Sequence, residues 1–164
     1  MCKKIILILA VTLILFALAV ASLPIWFNLS ALADPGRLET YIANKGKQWL
    51  VYRESRSTSV REPSITAKSL DNAQMIFGSE CSDCHGDDGH SPSDIGRGLY
   101  PRAPDLGTAE VQDWSDAELF WIIRNGIRLS GMPAFGKQLS NEEMWGLARY
   151  VRSLRTQGNE TSKK

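Results

Sequence analysis

The stretch of sequence that decides the fold is Cys81-Ser82-Asp83-Cys84-His85. Two thiols three positions apart lie on the same side of one helical turn, and an imidazole follows directly. The segments around this pentapeptide repeat their apolar residues at spacings of three and four, which is the period of a helix. No alternation typical of a strand competes with that period. The sequence therefore predicts an all-α domain built around residues 81–85.

Three helical segments are expected in this domain. The first runs from about residue 70 to residue 81. The second and third open on capping boxes, Ser115 to Glu118 and Ser140 to Glu143, in which each side chain satisfies a backbone N–H group of the other residue. Residues 86–113 lie between the first two helices, are rich in Gly, Pro and Asp, and are too many for a plain connection. A connection of this length is consistent with a domain whose core is completed by a bound cofactor.

The C-x-x-C-H spacing is the attachment pattern of a c-type haem. The two thiols reach the two vinyl groups on one edge of the porphyrin, and the imidazole of His85 then lies next to the iron. Three other uses of the motif are open. A redox dithiol is usually found among alternating strands, which this sequence lacks. A zinc site would take Cys81, Cys84, His85 and His90, and would need two residues adjacent in sequence on one tetrahedral ion. A disulfide from Cys81 to Cys84 leaves His85 without a role.

A haem iron also needs a sixth ligand, which separates electron carriers from proteins that bind gases or substrates. His90 follows His85 by only five residues, so we expect it to stay on the same side of the attachment segment and to be poorly placed to cross the macrocycle. Met75 and Met144 fall inside helical patterns, where packing is the expected role. Met132 lies in a turn-rich loop after the second helix, which can present its thioether to the open face. We therefore expect Met132 as the sixth ligand; the alternative is that it fills a gap beside the porphyrin.

In their order and spacing, these motifs resemble a mono-haem class I c-type cytochrome over about half of the chain. The motifs that carry the resemblance are Cys81-x-x-Cys84-His85-Gly86, Pro104-x-Leu106, Gly131-Met132-Pro133 and Tyr150. The resemblance implies a contact between the first and last helices, in which Ala73 and Phe77 pack near Tyr150. The family often has Gly at the first of these positions, so we expect Ala73 to widen the helix crossing slightly.

The resemblance further implies the composition of the site. Cys81 and Cys84 would form thioether bonds to one covalent haem c, and His85 and Met132 would bind its iron. The carbonyl oxygen of Pro104 would accept a hydrogen bond from the other ring nitrogen of His85, which sets the tautomer of that ligand.

The N-terminus carries a membrane signal. Residues 5–27 are almost continuously apolar, they follow two lysines, and the next charge is Asp34. A helix of this length spans roughly 30–35 Å, enough to cross a bilayer core, so residues 1–33 are expected to form a transmembrane anchor. A cleaved signal peptide is the alternative, because small-x-small patterns lie within and behind the apolar run. In both cases the positive-inside bias predicts a domain in the periplasm at the bacterial inner membrane, with the N-terminus in the cytoplasm.

Residues 34–69 are expected to form a juxtamembrane helix and a linker before the domain at residues 70–155, with residues 156–164 as a polar tail. Asp34 and Pro35 suit the first turn of a helix. This helix combines apolar residues near helical spacing with five basic residues. Two uses of it stay open. It either rests on anionic lipid head groups, with its aromatic residues at the interface, or serves as a spacer that is solvated or packed against a partner.

The formal charge of the chain is +1, from 19 basic and 18 acidic residues. It therefore lacks the basic excess of a protein that binds nucleic acid. The charge is unevenly divided, because residues 34–70 hold seven basic and four acidic residues whereas residues 71–158 hold eight and thirteen. The acidic domain predicts a redox partner protein that docks through a basic patch.

A haem iron with His and Met ligands has no free coordination position and carries single electrons. The resemblance therefore implies an electron carrier rather than an enzyme, one that passes electrons between respiratory or dehydrogenase partners. Two other functions stay open. The first is a haem relay held inside a dehydrogenase or oxidase complex, and the second is a gas sensor in which Met132 is displaced from the iron.

Overall fold

The computed structural model of the chain describes the backbone of residues 2–26, 30, 33, 35–57 and 60–161, and the side chains of residues 3–22, 30, 33, 35–57 and 60–155. These residues belong to two compact units, 1–33 and 34–164. All regular structure within the described ranges is helical, which confirms the prediction of an all-α protein. The predicted helix start at Asp34 lies outside the described residues.

The first unit holds α1, Cys2–Trp26. Its segment Lys3–Ser22 is long and apolar enough to cross a membrane, with a mean hydropathy of 3.0. The large apolar side chains from Ile5 to Val20 are exposed. A signal sequence has the same properties, so both interpretations of the apolar run agree with α1.

The second unit contains seven described helices. Their bounds are α2 (Arg37–Ser57), α3 (Ala67–Glu80), α4 (Ser82–His85), α5 (Asp94–Gly98), α6 (Ala109–Gln112), α7 (Asp116–Asn125) and α8 (Asn141–Thr161). The three predicted helices correspond to α3, α7 and α8. α3 begins earlier than expected because Thr66 caps it, with its hydroxyl accepting a hydrogen bond from the Ser69 N–H group. The short helices α5 and α6 lie in the segment 86–113, and α8 continues beyond residue 155.

The centre of this unit is the contact between α3 and α8. Ala73 and Phe77 on α3 are buried, and the ring centroids of Phe77 and Tyr150 are 5.1 Å apart. The expected contact between the first and last helices of the domain is thereby confirmed. α8 also packs against α7, where the rings of Phe120 and Trp145 stack at 4.5 Å. α8 therefore lies between α3 and α7 and contacts both.

The close approach of α3 and α8 depends on Gly146. A Cβ atom at this position would lie 3.2 Å from the Ser69 carbonyl oxygen and 3.3 Å from the Ala73 Cβ atom. The sequence predicts that Ala73 widens the crossing. α8 offsets this effect by placing a residue without a side chain opposite Ala73.

α2 and the segment after it pack on the same unit. Val51 on α2 is buried in a helix that lies against α7. Val60 and Ile65 pack against the core, and the Arg149 Nε atom on α8 donates to the Glu62 carboxylate at 2.7 Å. The sequence predicts a juxtamembrane helix and a linker here, and the structure adds that both contact the helices that follow. These apolar residues are single and lack a period, so their burial leaves no local pattern in the sequence.

The two predicted capping boxes are confirmed. The Ser115 hydroxyl accepts from the Glu118 N–H group, and the Glu118 carboxylate accepts from the Ser115 N–H group at 2.7 Å. Ser140 and Glu143 repeat this arrangement before α8, where the Ser140 nitrogen lies 2.8 Å from the Glu143 carboxylate. Each box satisfies N–H groups that have no partner inside the helix.

The helix crossing yields a test of packing. Gly146→Val should push α8 from α3 and lower the free energy of unfolding by about 1–3 kcal/mol. Gly78 on α3 is the matched control, because nothing lies within 4 Å of a Cβ atom there. Gly78→Val should change the free energy of unfolding by less than about 0.5 kcal/mol, because the site is open and Val and Gly differ little in helix propensity. Denaturant unfolding measures both effects, and equal losses in the two variants would contradict the role of Gly146.

Glu143 makes stability depend on pH. The Ser140 N–H and hydroxyl groups donate to its carboxylate and hold the pKa of Glu143 below the ordinary 4.5. A lowered folded-state pKa stabilises the fold above about pH 4.5, and this contribution is lost as the pH falls through the folded-state value. Glu143→Gln should therefore cost about 0.5 kcal/mol at neutral pH and reduce the loss of stability in acid.

Denaturant unfolding at about pH 7 and about pH 3.5 measures this difference. The neighbouring exposed Glu142 lies in the same helical turn, so Glu142→Gln controls for the general effect of charge at the start of α8. If both variants change the pH dependence of stability alike, the hydrogen bonds from Ser140 to Glu143 are not its cause.

Candidate functional site

The turn that carries both cysteines is continuous with α3. Cys81 ends α3 with its N–H group 2.9 Å from the Phe77 carbonyl oxygen, and α4 follows directly. The Ser82 hydroxyl donates to the Gly78 carbonyl oxygen at 2.8 Å. Because Phe77 is buried against α8, the packing of α3 also fixes the position of this turn. Cys81 and Cys84 are half-buried, and no disulfide joins them.

The surroundings of Cys81 do not suit a redox dithiol. Burial raises the pKa of the Cys81 thiol to about 12, and the nearby charges of Glu80 and Cys84 act in the same direction. A reactive dithiol needs a lowered thiol pKa, because the thiolate is the nucleophile. No strand is found in the described residues, so the usual fold context of such a dithiol is missing there as well.

The His85 ring is oriented by one hydrogen bond. Its Nδ1 atom lies 3.1 Å from the Pro104 carbonyl oxygen. A carbonyl oxygen only accepts, so Nδ1 carries the hydrogen and Nε2 keeps its lone pair. Burial lowers the pKa of His85, although the Pro104 hydrogen bond acts in the opposite direction. The imidazole is therefore neutral at physiological pH, which is the form that binds a metal.

The loop behind His85 is held by backbone hydrogen bonds on both sides of Pro104. The Ala103 N–H group donates to the Gly96 carbonyl oxygen at 2.9 Å, and the Leu106 N–H group donates to the Gly89 carbonyl oxygen at 2.8 Å. These bonds place the Pro104 carbonyl oxygen between two anchored points. The orientation of His85 thus depends on how the segment 86–106 folds back on itself.

His90 belongs to this loop and does not join the cysteines. Its Nδ1 atom lies 3.1 Å from the Asp105 carboxylate, which also accepts the Gly107 N–H group at 2.7 Å. Within the described ranges, no three His, Cys, Asp or Glu side chains converge to hold a metal ion. This arrangement does not favour a zinc site that includes His90.

Gln112 at the end of α6 ties the loop to α8. Its buried side-chain amide donates to the carbonyl oxygens of Leu106 at 2.7 Å and Val151 at 2.9 Å. Arg152 donates to the backbone carbonyl oxygen of Gln112 at 2.5 Å and pairs with the Asp116 carboxylate at 2.9 Å. The segment that orients His85 is therefore joined to the core through buried polar contacts.

Met132 lies in a loop that returns to the end of α7, and it packs half-buried against the core. The Phe135 and Gly136 N–H groups donate to carbonyl oxygens of α7 at 3.2 Å and 2.9 Å. Gly126, with φ of +65°, begins the loop, and a Cβ atom there would come within 2.8 Å of the Met132 carbonyl oxygen. Only glycine permits both this backbone conformation and this approach.

The two loops of the site meet at Leu99. A Cβ atom at Gly131 would lie 2.7 Å from the Leu99 side chain, so the Met132 loop touches the segment that holds Pro104. The structure therefore links Cys81, Cys84 and His85 to Pro104 within one folded segment, and the loop that carries Met132 meets this segment at Leu99. Sequence patterns did not single out Leu99, because a lone leucine between turns carries no periodic signal.

These residues fit a covalently bound haem. Two unpaired thiols lie one turn apart beside an imidazole whose Nε2 atom keeps its lone pair, and a loop with a thioether adjoins them. Ile95 on α5 and Leu129 before Met132 present exposed apolar side chains, which suit contact with a porphyrin. The fold and the site define a c-type cytochrome domain.

The family is shown by comparison with known proteins. Residues 68–151, just over half of the chain, match the family model described as cytochrome c oxidase, cbb3-type, subunit III. The chain belongs to this family and carries a class I c-type cytochrome domain. Covalently bound haem c is the cofactor, and the role of the domain is electron transfer.

Three solved structures are similar to the chain. The c-type cytochrome KustC0563 is 31% identical over 51% of this chain and 96% of that chain, with a TM-score of 0.45. A chain of the Kuenenia stuttgartiensis reducing HAO-like protein complex Kustc0457/Kustc0458 is 24% identical over 62% of this chain and 54% of that chain, with a TM-score of 0.50. Cytochrome cL from Methylophaga aminisulfidivorans is 19% identical over 77% of this chain and 71% of that chain, with a TM-score of 0.44. The chain thus spans about half the length of the second match. A comparison with curated proteins gives no match.

Asp105 offers a test of the loop behind His85. Asp105→Ala removes the acceptor of the Gly107 N–H group and the partner of His90, and should lower the free energy of unfolding by about 1–2 kcal/mol. The exposed Asp87 lies in the same loop, and Asp87→Ala should change stability by less than about 0.5 kcal/mol. Denaturant unfolding compares the two variants. Equal stabilities would show that Asp105 does not hold the loop.

Proposed function

We propose that the chain is an exported electron-transfer cytochrome, held at the membrane by α1, in which His85 and Met132 would be the protein ligands to the iron of one haem c. The contact between Leu99 and Gly131 carries this proposal. It joins the segment that orients His85 to the loop that holds Met132, so the two can close around one macrocycle. An iron with both axial positions filled exchanges electrons rather than substrates.

The proximal residues have separate tasks. Thioether bonds from Cys81 and Cys84 keep the cofactor attached outside the cytoplasm, where a lost haem is not replaced. His85 would bind the iron through Nε2, since Nδ1 donates to the Pro104 carbonyl oxygen. This hydrogen bond fixes the ring and increases the basicity of the ligand. Haem c, when bound, supplies the one-electron chemistry.

Met132 supplies the distal ligand in this proposal. A thioether is a soft ligand that raises the reduction potential of a haem. The loop is bonded to α7 through Phe135 and Gly136, and Gly126 allows its backbone to approach closely. These contacts hold the loop in one conformation, in which the Met132 thioether would be available to the iron.

The membrane position rests on α1. Its segment Lys3–Ser22 has the length and hydropathy of a membrane span, and the positive-inside bias leaves the two lysines in the cytoplasm. The domain is then periplasmic, at the bacterial inner membrane. A tether of this kind raises the effective concentration of the domain for membrane-bound redox partners. The acidic balance of residues 71–158 supports partners with basic docking patches.

A second candidate function is that of a haem relay inside an oxidase or dehydrogenase complex. The description of the family, which names an oxidase subunit, favours it. Both functions use the same site and differ in how long the partner stays bound. Purification after mild solubilisation distinguishes them, because a relay subunit would remain with a large partner and a mobile carrier would not.

Met132→Ala tests the proposed ligand. The variant should keep its covalent haem, because the attachment turn is unchanged, and should have an open sixth position. The reduced variant should then bind carbon monoxide, and its reduction potential should fall. Absorbance spectra with and without carbon monoxide measure the first effect, and a redox titration measures the second.

The matched control is Met75→Ala, because Met75 is exposed on α3 and does not have the packing role expected from its helical position. This variant should keep the spectrum and the potential of the native protein. A Met132→Ala protein with a native spectrum would exclude Met132 as the ligand. A change confined to Met75→Ala would assign the ligand to α3 instead.

A further inference from the structure

α2 has one face on the domain and another that is free of it. The contacts to the domain come from positions spaced by four or eight residues, which form one side of the helix. They are the buried Val51 and Ser55, the ion pair of Lys47 with Glu110 at 3.6 Å, and the hydrogen bond of Tyr100 to Glu39. Contacts at both ends and in the middle fix the direction of α2 relative to the domain.

The opposite side of α2 is apolar and exposed. Its large apolar residues expose between 52% and 71% of their surface. They are Leu38, Tyr41, Ile42, Trp49 and Tyr52. These positions recur at spacings of three, four and seven and fall within an arc of about 120°. Single apolar residues scattered over a surface are ordinary, whereas five large ones on one exposed arc form a contiguous patch. Such a patch marks an interaction site.

Every charged residue within the same arc is basic. These residues are Lys45, Arg53 and Arg56, and together with the five apolar residues they form what we call the outer face of α2. Arg53 lies over the Trp49 ring at 4.8 Å, and Arg56 lies over the Tyr52 ring at 5.2 Å. Helices that lie at membrane interfaces are enriched in Trp and Tyr and carry Lys and Arg beside them, as this face does.

The acidic residues of α2 lie outside this arc. Glu39 points to Tyr100, and Glu54 lies about 100° around the helix from Arg53, with which it pairs at 2.6 Å. The rest of the unit has the opposite balance, since residues 71–158 hold eight basic and thirteen acidic residues. An anionic surface therefore attracts the outer face of α2 and repels the acidic remainder of the unit.

We propose that the outer face of α2 binds the surface of an anionic lipid bilayer and thereby orients the domain on the membrane. The proposal rests on the proposed function, because it takes α1 as the membrane span. Fifteen residues separate Ser22, the end of that span, from Leu38. They reach at most roughly 50 Å, so the outer face stays within reach of the membrane surface. Since α2 is fixed to the domain, its docking would hold the haem site at one angle to the bilayer.

The test uses the full chain with a protease site placed between α1 and α2. The protein is reconstituted into vesicles of phosphatidylglycerol and phosphatidylcholine in equal parts, or of phosphatidylcholine alone, and is then cleaved. The measurement is the fraction of the C-terminal fragment that sediments with the vesicles. We expect the fragment to stay on the anionic vesicles, to leave them at high salt, and to leave the neutral vesicles without added salt.

A pair of variants that each remove one positive charge sharpens the result. Lys45→Gln removes one basic residue from the outer face and should weaken binding to the anionic vesicles about five-fold. Lys68→Gln removes one exposed basic residue from α3 and should leave binding unchanged. Equal effects of the two substitutions would mean that only net charge matters, which would overturn the assignment to the outer face.

Two further outcomes would overturn the proposal. One is release of the fragment from both kinds of vesicle at low salt. The other is retention on native membranes but not on protein-free anionic vesicles, which would identify a protein as the partner. Failure of the uncleaved chain to sediment would instead refute α1 as an anchor. In that case the cleaved fragment, added to fresh vesicles, still reports on the outer face by itself.

Discussion

The hydrogen bond from the His85 ring to the Pro104 carbonyl oxygen is the interaction on which the rest of the site depends. It leaves a single ring nitrogen for a metal and decides which way the ring faces. The bond requires that a segment 19 residues away in sequence be held in place. Backbone hydrogen bonds on both sides of Pro104 do this locally, and Gln112 extends the support to α8. Ordering a loop of this length costs conformational entropy. In this domain the ordered loop places the carbonyl oxygen that orients His85.

The crossing of α3 and α8 fixes the position of the two cysteines. Phe77 and Ala73 are buried against α8, and Cys81 follows Phe77 by one turn, so packing in the core places the cysteines. The Met132 loop is attached to α7, which also packs against α8. Both sides of the site are therefore positioned by the same central helix. Changes in the core that move α8 would be transmitted to both sides at once.

Local patterns predicted the elements of the fold that depend on neighbours in sequence. The two capping boxes, the period of α8 and the attachment turn belong to this group, and the resemblance added the contact of Phe77 with Tyr150. Patterns did not predict contacts between distant residues that lack a period, such as Leu99 with Gly131, Gln112 with Val151, or the packing of α2 on α7. Gly146 was missed because a glycine inside a helix gives no sign of the residue it faces.

The proposed function depends on one haem held between His85 and Met132. Nuclear magnetic resonance of the reduced native protein, with its four methionine methyl groups labelled, tests it most directly. The ring current of a porphyrin displaces the methyl resonance of an axial methionine far upfield. Binding of the iron by Met132 predicts one displaced methyl resonance, which should be lost in a Met132→Leu variant. Four undisplaced methyl resonances, or a displaced one belonging to Met75 or Met144, would contradict it.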